Sequence, residues 1–440
     1  IATHDRLQPL NWAKEFPDVI AAGGFDCVFG NPPYGLARGE QIENYENEIL
    51  KKHYSDVRSG KANKYMLFMA KGYELTAPHG CLSFVVPNSW LGIRSGRKLR
   101  QMFLSERSLA SVHVFDFPVF QNSIVEPVVF TVDRQMQHDT IKLVRHPGPK
   151  TDTSSSEVPV DSCLKLPEQM IPTSWSQQVA RVFTAIWRDA IPLSSKQSGV
   201  ISRIALQAYA TGKGTPPQSK EDVKQHIFHS TRKKGRYCHP YLHGKDVQRL
   251  RINWSGQFLK HGPWLAEPQL IERFQGPRVL VREITARAPY TITACATDRT
   301  YLYNKSILHI LPTSDAMRDI NCMRAIAAVL SSKLGTFVLM FQGKKAQRKI
   351  FPKLVNDDLL HFPLPRRFAE HVDRLSALSE KLSKAYEMLP ESDSSQLTIP
   401  GYSLVRFLEE RIDREIYATY GIDKEQYSEL ERAISSRAAA

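Results

Sequence analysis

The stretch Phe25-Asp26-Cys27-Val28-Phe29-Gly30-Asn31-Pro32-Pro33-Tyr34 decides the fold. Phe25 to Phe29 is a short apolar run, the pattern of a buried strand in a parallel sheet. Gly30 closes it, and two prolines without N–H donors cannot continue a ladder. A carboxamide, two rigid prolines and an aromatic ring therefore stand just past the carboxyl end of a strand. In open α/β sheets, ligands bind at that edge.

The tetrad suits one kind of chemistry. The Asn31 carboxamide oxygen and the Pro32 carbonyl can accept both hydrogens of one exocyclic amine. The nitrogen lone pair is then drawn out of conjugation with its ring and aimed at an electrophile. Tyr34 adds a face for a planar base. Asn31-Pro32-Pro33-Tyr34 resembles the Asn/Asp-Pro-Pro-Tyr/Phe motif of the amino-methyltransferases that methylate adenine N6 in DNA.

Length and composition frame this reading. A chain of 440 residues holds two or three domains with proper cores. Its 42% hydrophobic and 24% charged content is that of a globular protein. No apolar run has membrane-spanning length and no signal peptide is visible, so a cytoplasmic home without membrane partners is expected. The six cysteines are scattered with no CxxC pair, which argues against zinc and against a disulfide framework.

The net charge of +14 is concentrated. Residues 201–260 hold twelve Lys/Arg against three acids, and 341–353 hold five against none. Such patches suit a phosphate backbone. The residues expected to hold it are Lys213, Arg232, Lys233, Lys234, Arg236 and Lys245 in the first window. In the second they are Lys344, Lys345, Arg348 and Lys349.

Around the tetrad, the polar stretch Gly35 to Ser59 reads as a loop over the site. From Asn63 a helical period places Tyr65, Phe68, Met69, Gly72 and Tyr73 on one face. Pro78-His79-Gly80 reads as a turn and Cys81 to Val86 as a second buried strand. A basic helix follows from Arg94 to Leu104, then strands at Val112–Phe117 and Pro127–Val132. Residues 136–165 read as a solvated linker, and Met323 to Phe337 as one helix. Thr211 to Thr215 lacks the GxxxxGK[ST] spacing of a phosphate-binding P-loop.

Phe84-Val85-Val86-Pro87-Asn88-Ser89-Trp90-Leu91 is similar to the strand and turn that follow the catalytic motif in TaqI-type adenine methyltransferases. Val119-Phe120, with Val125-Glu126-Pro127-Val128-Val129 after it, is similar to the loop carrying that family's second stacking aromatic. On that match Phe120 partners Tyr34. Further on, Tyr241-Leu242-His243-Gly244-Lys245-Asp246-Val247, Arg278 to Glu283, Leu330 to Leu334 and Phe362-Pro363-Leu364-Pro365 follow the order of a TaqI-like target-recognition domain. Such domains occur in type IIG and related phage-defence enzymes.

The resemblance implies an α/β fold: the second half of a Rossmann-like methyltransferase sheet, a mixed α+β target-recognition domain, and carboxyl-terminal helices. The expected divisions are 1–135, 136–192, 193–365 and 366–440. It implies a restriction-modification or phage-defence methyltransferase acting on an adenine flipped from double-stranded DNA, with DNA entering between the two lobes. Asn31, Pro32, Pro33 and Tyr34 would be catalytic, Tyr34 and Phe120 base-stacking, and no metal is required. The methyl donor would be S-adenosylmethionine. Its glycine-rich loop precedes the catalytic motif in this family and has no counterpart in the 24 residues before Phe25. A second polypeptide carrying the amino-terminal half is therefore expected, with room for other defence-system subunits. The rival reading is a non-catalytic subunit that recognises or senses DNA. No PD…ExK nuclease constellation is visible.

Overall fold

A computed structural model of the chain describes residues 10–34, 52–55, 57, 63–120, 126–343, 353–389 and 400–439. The chain divides into two compact units, residues 1–180 and 181–440. Most of the loop expected at Gly35–Ser59 lies outside the described residues.

The first unit opens with two short helices, α1 (Trp12–Glu15) and α2 (Pro17–Ala21). Rings of Trp12, Phe16 and Phe25, with centroids 5.4–5.9 Å apart, tie them to the start of β1 (Phe25–Gly30). Helix α3 (Lys64–Leu75) leads into β2 (Thr76–Pro87), and α4 (Arg97–Ser105) into β3 (Leu109–Phe115). Strands β4 (Pro127–Asp133), β5 (Thr140–His146) and β6 (Ser154–Pro159) complete a mixed sheet of order β1-β2-β4-β3-β5-β6. Pairs β1/β2 and β3/β5 are parallel and the others antiparallel. The fold is thus mixed α/β around one large sheet.

The structure corrects several details. Residues 140–159 are two ladder strands rather than linker, because Ile141, Leu143, Val144 and Val158 have a core to enter. The expected turn at Pro78-His79-Gly80 lies inside β2, where the register jumps from Phe25↔Thr76 to Cys27↔Cys81. Extra residues bulge out of a continuing strand. A Cβ on Gly80 would meet the Phe25 carbonyl at 2.7 Å, so only glycine fits beside β1 there. On α3, Tyr65, Met69, Gly72 and Tyr73 are buried as expected, but Phe68 is 48% exposed.

The largest correction concerns β1. Expected to be buried, it pairs with β2 alone among the described residues, and Phe29 is 80% exposed.

The second unit begins within α5 (Gln177–Arg188), whose Trp187 is fully buried. Strand β7 (Val200–Ile204), helix α6 (Lys220–Gln225), and strands β8 (His229–Ser230), β9 (Cys238–Leu242) and β10 (Phe258–Lys260) follow. Then come β11 (Arg278–Arg282), β12 (Ala294–Thr297), β13 (Leu302–Tyr303) and β14 (Ile307–Pro312). They make two four-stranded sheets, β12-β11-β14-β7 and β13-β9-β10-β8. Helices α7 (Ile320–Leu330), α8 (Lys333–Gln342), α9 (Val372–Glu387), α10 (Pro400–Thr419) and α11 (Lys424–Ala439) complete it. The helix expected over Met323–Phe337 is two helices bent by 61°, because the Ser332 side chain caps α8 anew. Among the described residues no single helix is long and apolar enough to cross a membrane.

A buried polar network ties these helices to the sheets. Arg249 donates to the Ser331 carbonyl (2.9 Å), pairs with Glu409 and lies 3.6 Å over the Tyr290 ring. Tyr290 donates to Asp413 Oδ2 and the Lys333 amide to Asp413 Oδ1, each at 3.0 Å. Burial pushes the Asp413 carboxyl up to about 6, against the opposing pull of the Lys333 amide and of Arg249. A carboxyl raised on folding favours the native state while protonated, and that contribution fades as pH climbs through the folded value. Asp413→Asn, which keeps the shape, should gain on the wild type by up to about 3 kcal/mol between pH 4 and pH 7. Urea unfolding at several pH values reads this; parallel pH profiles of the two proteins would refute it.

Candidate active site and nucleic-acid surface

Asn31 stands exposed at the carboxyl end of β1, Pro32 is buried beneath it, and Pro33 returns to the surface. The Asn31 carboxamide makes no hydrogen bond among the described residues, so its oxygen is free to accept. Tyr34 turns back over β2 and donates its hydroxyl to the Val85 carbonyl at 3.3 Å. Burial raises the pKa of that phenol and holds it protonated.

Phe120 comes to this edge because β3 runs parallel to β1 and β2, so the chain leaving β3 emerges at the same end of the sheet. The Phe120 and Tyr34 rings lie 6.4 Å apart at 67°. The two expected stacking residues, distant in sequence, are thus neighbours, edge to face. A planar group can lie on the Tyr34 face once the Phe120 ring turns parallel.

Sequence reasoning missed what holds this edge. The Asn88 amide and side chain bond the Glu126 carbonyl and carboxylate at 2.9 and 2.7 Å, which ties the end of β2 to the start of β4. Tyr65 and Ser89 share a hydrogen bond of 3.0 Å. Trp90 is fully buried against Phe103 and Phe130. Arg100, also fully buried, gives its guanidinium to the carbonyls of Trp90, Ile93, Glu168 and Gln169. Its place on α4 among the buried Leu99, Phe103 and Leu104 was the available signal.

Beside β1 opens a cavity of about 960 Å³ walled by Trp12, Val28, Phe29, Phe68 and Phe84. Asn31 and Tyr34 are not among its lining residues. Its charged lining is Lys64, Lys71 and Glu74, and Lys71 pairs with Glu74 at 2.7 Å. On the opposite face of the strands, Cys27 and Cys81 are free thiols 3.5 Å apart. Among the described residues no group of three or more His, Cys, Asp or Glu is placed to hold a metal.

In the second unit, the turn between β8 and β9 presents Thr231-Arg232-Lys233-Lys234-Gly235-Arg236-Tyr237, all exposed and without an acid. Gly235 at φ 77° makes the tight reversal. The Arg236 guanidinium lies 4.7 Å over the Tyr237 ring. Lys245 is exposed; Lys213 is exposed too but already paired with Glu267. Lys344, Lys345, Arg348 and Lys349 lie outside the described residues.

Residues 2–120 match the family described as Eco57I restriction-modification methylase, and residues 239–364 match the TaqI-like C-terminal specificity domain. The chain is thus similar to a restriction-modification methylase over one stretch and to a specificity domain over another. Over 97% of its length it is 20% identical to RM.MjaORFECS2P of Methanocaldococcus jannaschii, a candidate type II restriction enzyme and methyltransferase. It spans 34% of that relative. Over 24% of its length it is 34% identical to the type II methyltransferase M.TthHB8I of Thermus thermophilus, covering 25% of that protein. Among solved structures it resembles the type IIL restriction-modification enzyme MmeI, determined in complex with DNA. The TM-score is 0.53 at 13% identity, over 99% of this chain and 59% of that one.

Each of the two units rests on buried polar anchors, and Arg100 tests that of the first. Arg100→Met should strand four carbonyl acceptors, each costing about 1–3 kcal/mol when left unpaired. Denaturant unfolding should show a loss of more than about 3 kcal/mol; a loss under 1 would mean the turn after β2 holds without it.

Proposed function

We propose that this chain is the catalytic-edge and target-recognition part of an N6-adenine DNA methyltransferase, acting in the cytoplasm within a restriction-modification or phage-defence system. The juxtaposition of Tyr34 and Phe120 beside a free Asn31 carboxamide carries the reading. An adenine flipped from the duplex loses stacking worth a few kcal/mol, roughly, and two aromatic faces offset that loss. The Asn31 oxygen and Pro32 carbonyl accept the two N6 hydrogens and orient the amine. Proline fixes the backbone at φ near −65°, so the second acceptor is set before substrate arrives. The amine is itself the nucleophile, and positioning supplies most of the acceleration. The exposed 232–236 turn holds phosphates without reading sequence.

S-adenosylmethionine, when bound, supplies the electrophilic methyl group. The described residues do not by themselves make its cradle: the cavity beside β1 is largely apolar, and Lys71 is already paired. The open edge of β1 and its exposed Phe29 instead fit a further strand pairing there. We assign that strand, and the donor loop, to the amino-terminal half of the methylase domain. The native particle's mass and a donor titration test this. Donor bound only when that half is present supports it; tight donor binding by residues 1–440 alone overturns it.

Two substitutions test the chemistry. Asn31→Ala should cut methyl transfer by at least about 10²–10³-fold, the scale of losing one well-placed transition-state contact, with DNA affinity largely kept. Loss of both together would count against a catalytic role. Replacing Arg232, Lys233, Lys234 and Arg236 by Ala should weaken binding to all sequences and reduce the log–log salt slope by about 3–4. An unchanged slope would move the phosphate contacts elsewhere. DNA binding with no methyl transfer in the intact particle would favour the recognition-subunit reading.

A further inference from the structure

The second unit holds a cavity of about 670 Å³ that the proposed reaction does not use. Tyr209 forms part of its wall and is locked in place. Its hydroxyl accepts from the Phe228 amide (3.0 Å) and donates to His229 Nδ1 (2.8 Å). Burial, with His226 and His243 nearby, pushes His229 down to about 4, so this imidazole is neutral and remains an acceptor for Tyr209. At the mouth, the exposed His226 ring lies 4.8 Å from Tyr209. His226, at φ 51°, is the left-handed residue that ends α6 and turns the chain into the cavity wall.

The hydrogen-bonding character of the wall is one-sided. No Asp or Glu lines the cavity. With His243 Nε2 donating to Gln257 Oε1 at 2.7 Å, both amide hydrogens of Gln257 are left free. The Asn304 oxygen accepts from the Ser306 amide and hydroxyl, leaving the Asn304 NH₂ free. Lys305 uses one hydrogen on Gln207 at 3.2 Å and keeps two. Free donors outnumber free acceptors, and the Gln225 Oε1, left free because its amide donates to Glu221, is an acceptor at the rim. The rim continues from Thr231, a lining residue, straight into Arg232 and Lys233.

A planar ligand rich in acceptors, with an attached anion, matches this wall. Guanine presents N7 and O6 side by side, whereas adenine pairs N7 with a donor. We propose that the cavity is a nucleotide pocket, distinct from the Asn31 site, that takes one guanine base and directs its phosphate to Lys305 and the 232–236 turn. The same chemistry is offered by an unpaired guanine of bound DNA and by a free guanine nucleotide.

Calorimetric titration of the full chain separates these sources. Guanosine monophosphate should bind at least ~10-fold more tightly than adenosine monophosphate, the discrimination of one good two-point contact. Inorganic phosphate alone should not compete. Gln257→Leu combined with Asn304→Leu should lose that preference, with thermal melting to check the fold. His226→Ala, at the exposed mouth, should weaken binding without touching the core. If the free nucleotide does not bind, a duplex with one bulged guanine should bind ~10-fold better than its fully paired counterpart, and the double variant should abolish the difference. That outcome assigns the pocket to DNA. Binding of guanosine, adenosine and phosphate without distinction, or no preference for either guanine probe, overturns the proposal. Every readout is binding, so the result is independent of whether Asn31 methylates.

Discussion

The parallel pairing of β1 with β2 is the constraint on which the first unit depends. It sets Asn31 and the end of β2 on the same edge, and the antiparallel return through β4 and β3 brings Phe120 there as well. The pairing is close because glycine stands at both approach points. A Cβ on Gly24 would meet the Leu75 carbonyl at 2.5 Å, and one on Gly80 the Phe25 carbonyl at 2.7 Å. The prolines then stop the ladder where a ligand edge is needed. Geometry at the tetrad is therefore inherited from the sheet, while Arg100 and Glu126 fix the neighbouring turn against it.

In the second unit, charge has been separated by place. Inside, Arg249, Glu409, Tyr290 and Asp413 satisfy one another and join helices to sheets. Outside, the turn after β8 carries four cations and no counter-charge of its own. Cations already matched by carboxylates, such as Lys213 with Glu267, have less to offer a phosphate than those left free. The same distinction sharpens a sequence-level count of Lys and Arg into a particular turn.

How much was legible follows from the range of the interactions concerned. The place of the tetrad at a strand's end, the Cys81–Val86 part of β2 and most of the α3 core face could be read because each rests on local periodicity, while the nearness of Tyr34 and Phe120 followed from a resemblance. Strands β5 and β6 were missed because Thr151 to Ser156 looks solvated locally; only the ladder to β3 makes 140–146 a strand. The break between α7 and α8 was missed because the apolar pattern runs through it, while the Ser332 cap that divides it is a single residue. The Arg100 staple and the cavity around Tyr209 are assembled from residues far apart in sequence, and no spacing announces them. The burial expected for β1 presumed a neighbour on each side.

That last difference bears on how the segment works. A strand edge with free N–H and C=O groups and an exposed Phe29 is a template for unwanted pairing, and proteins ordinarily blunt such edges with charge, proline or a covering element. On β1 the charged side chain is Asp26, held by His79 at 2.9 Å at the far end from the tetrad; near Asn31 the edge is apolar. The cavity walled by Trp12, Phe29 and Phe68 continues that apolar surface. Covering it would bury Phe29 and Phe68, each worth about 1.5–3 kcal/mol when fully withdrawn from water, and would add one row of backbone hydrogen bonds. The element that completes the sheet would thus meet the strand that carries Asn31. Stability of the edge and placement of the Asn31 carboxamide would then share one cause.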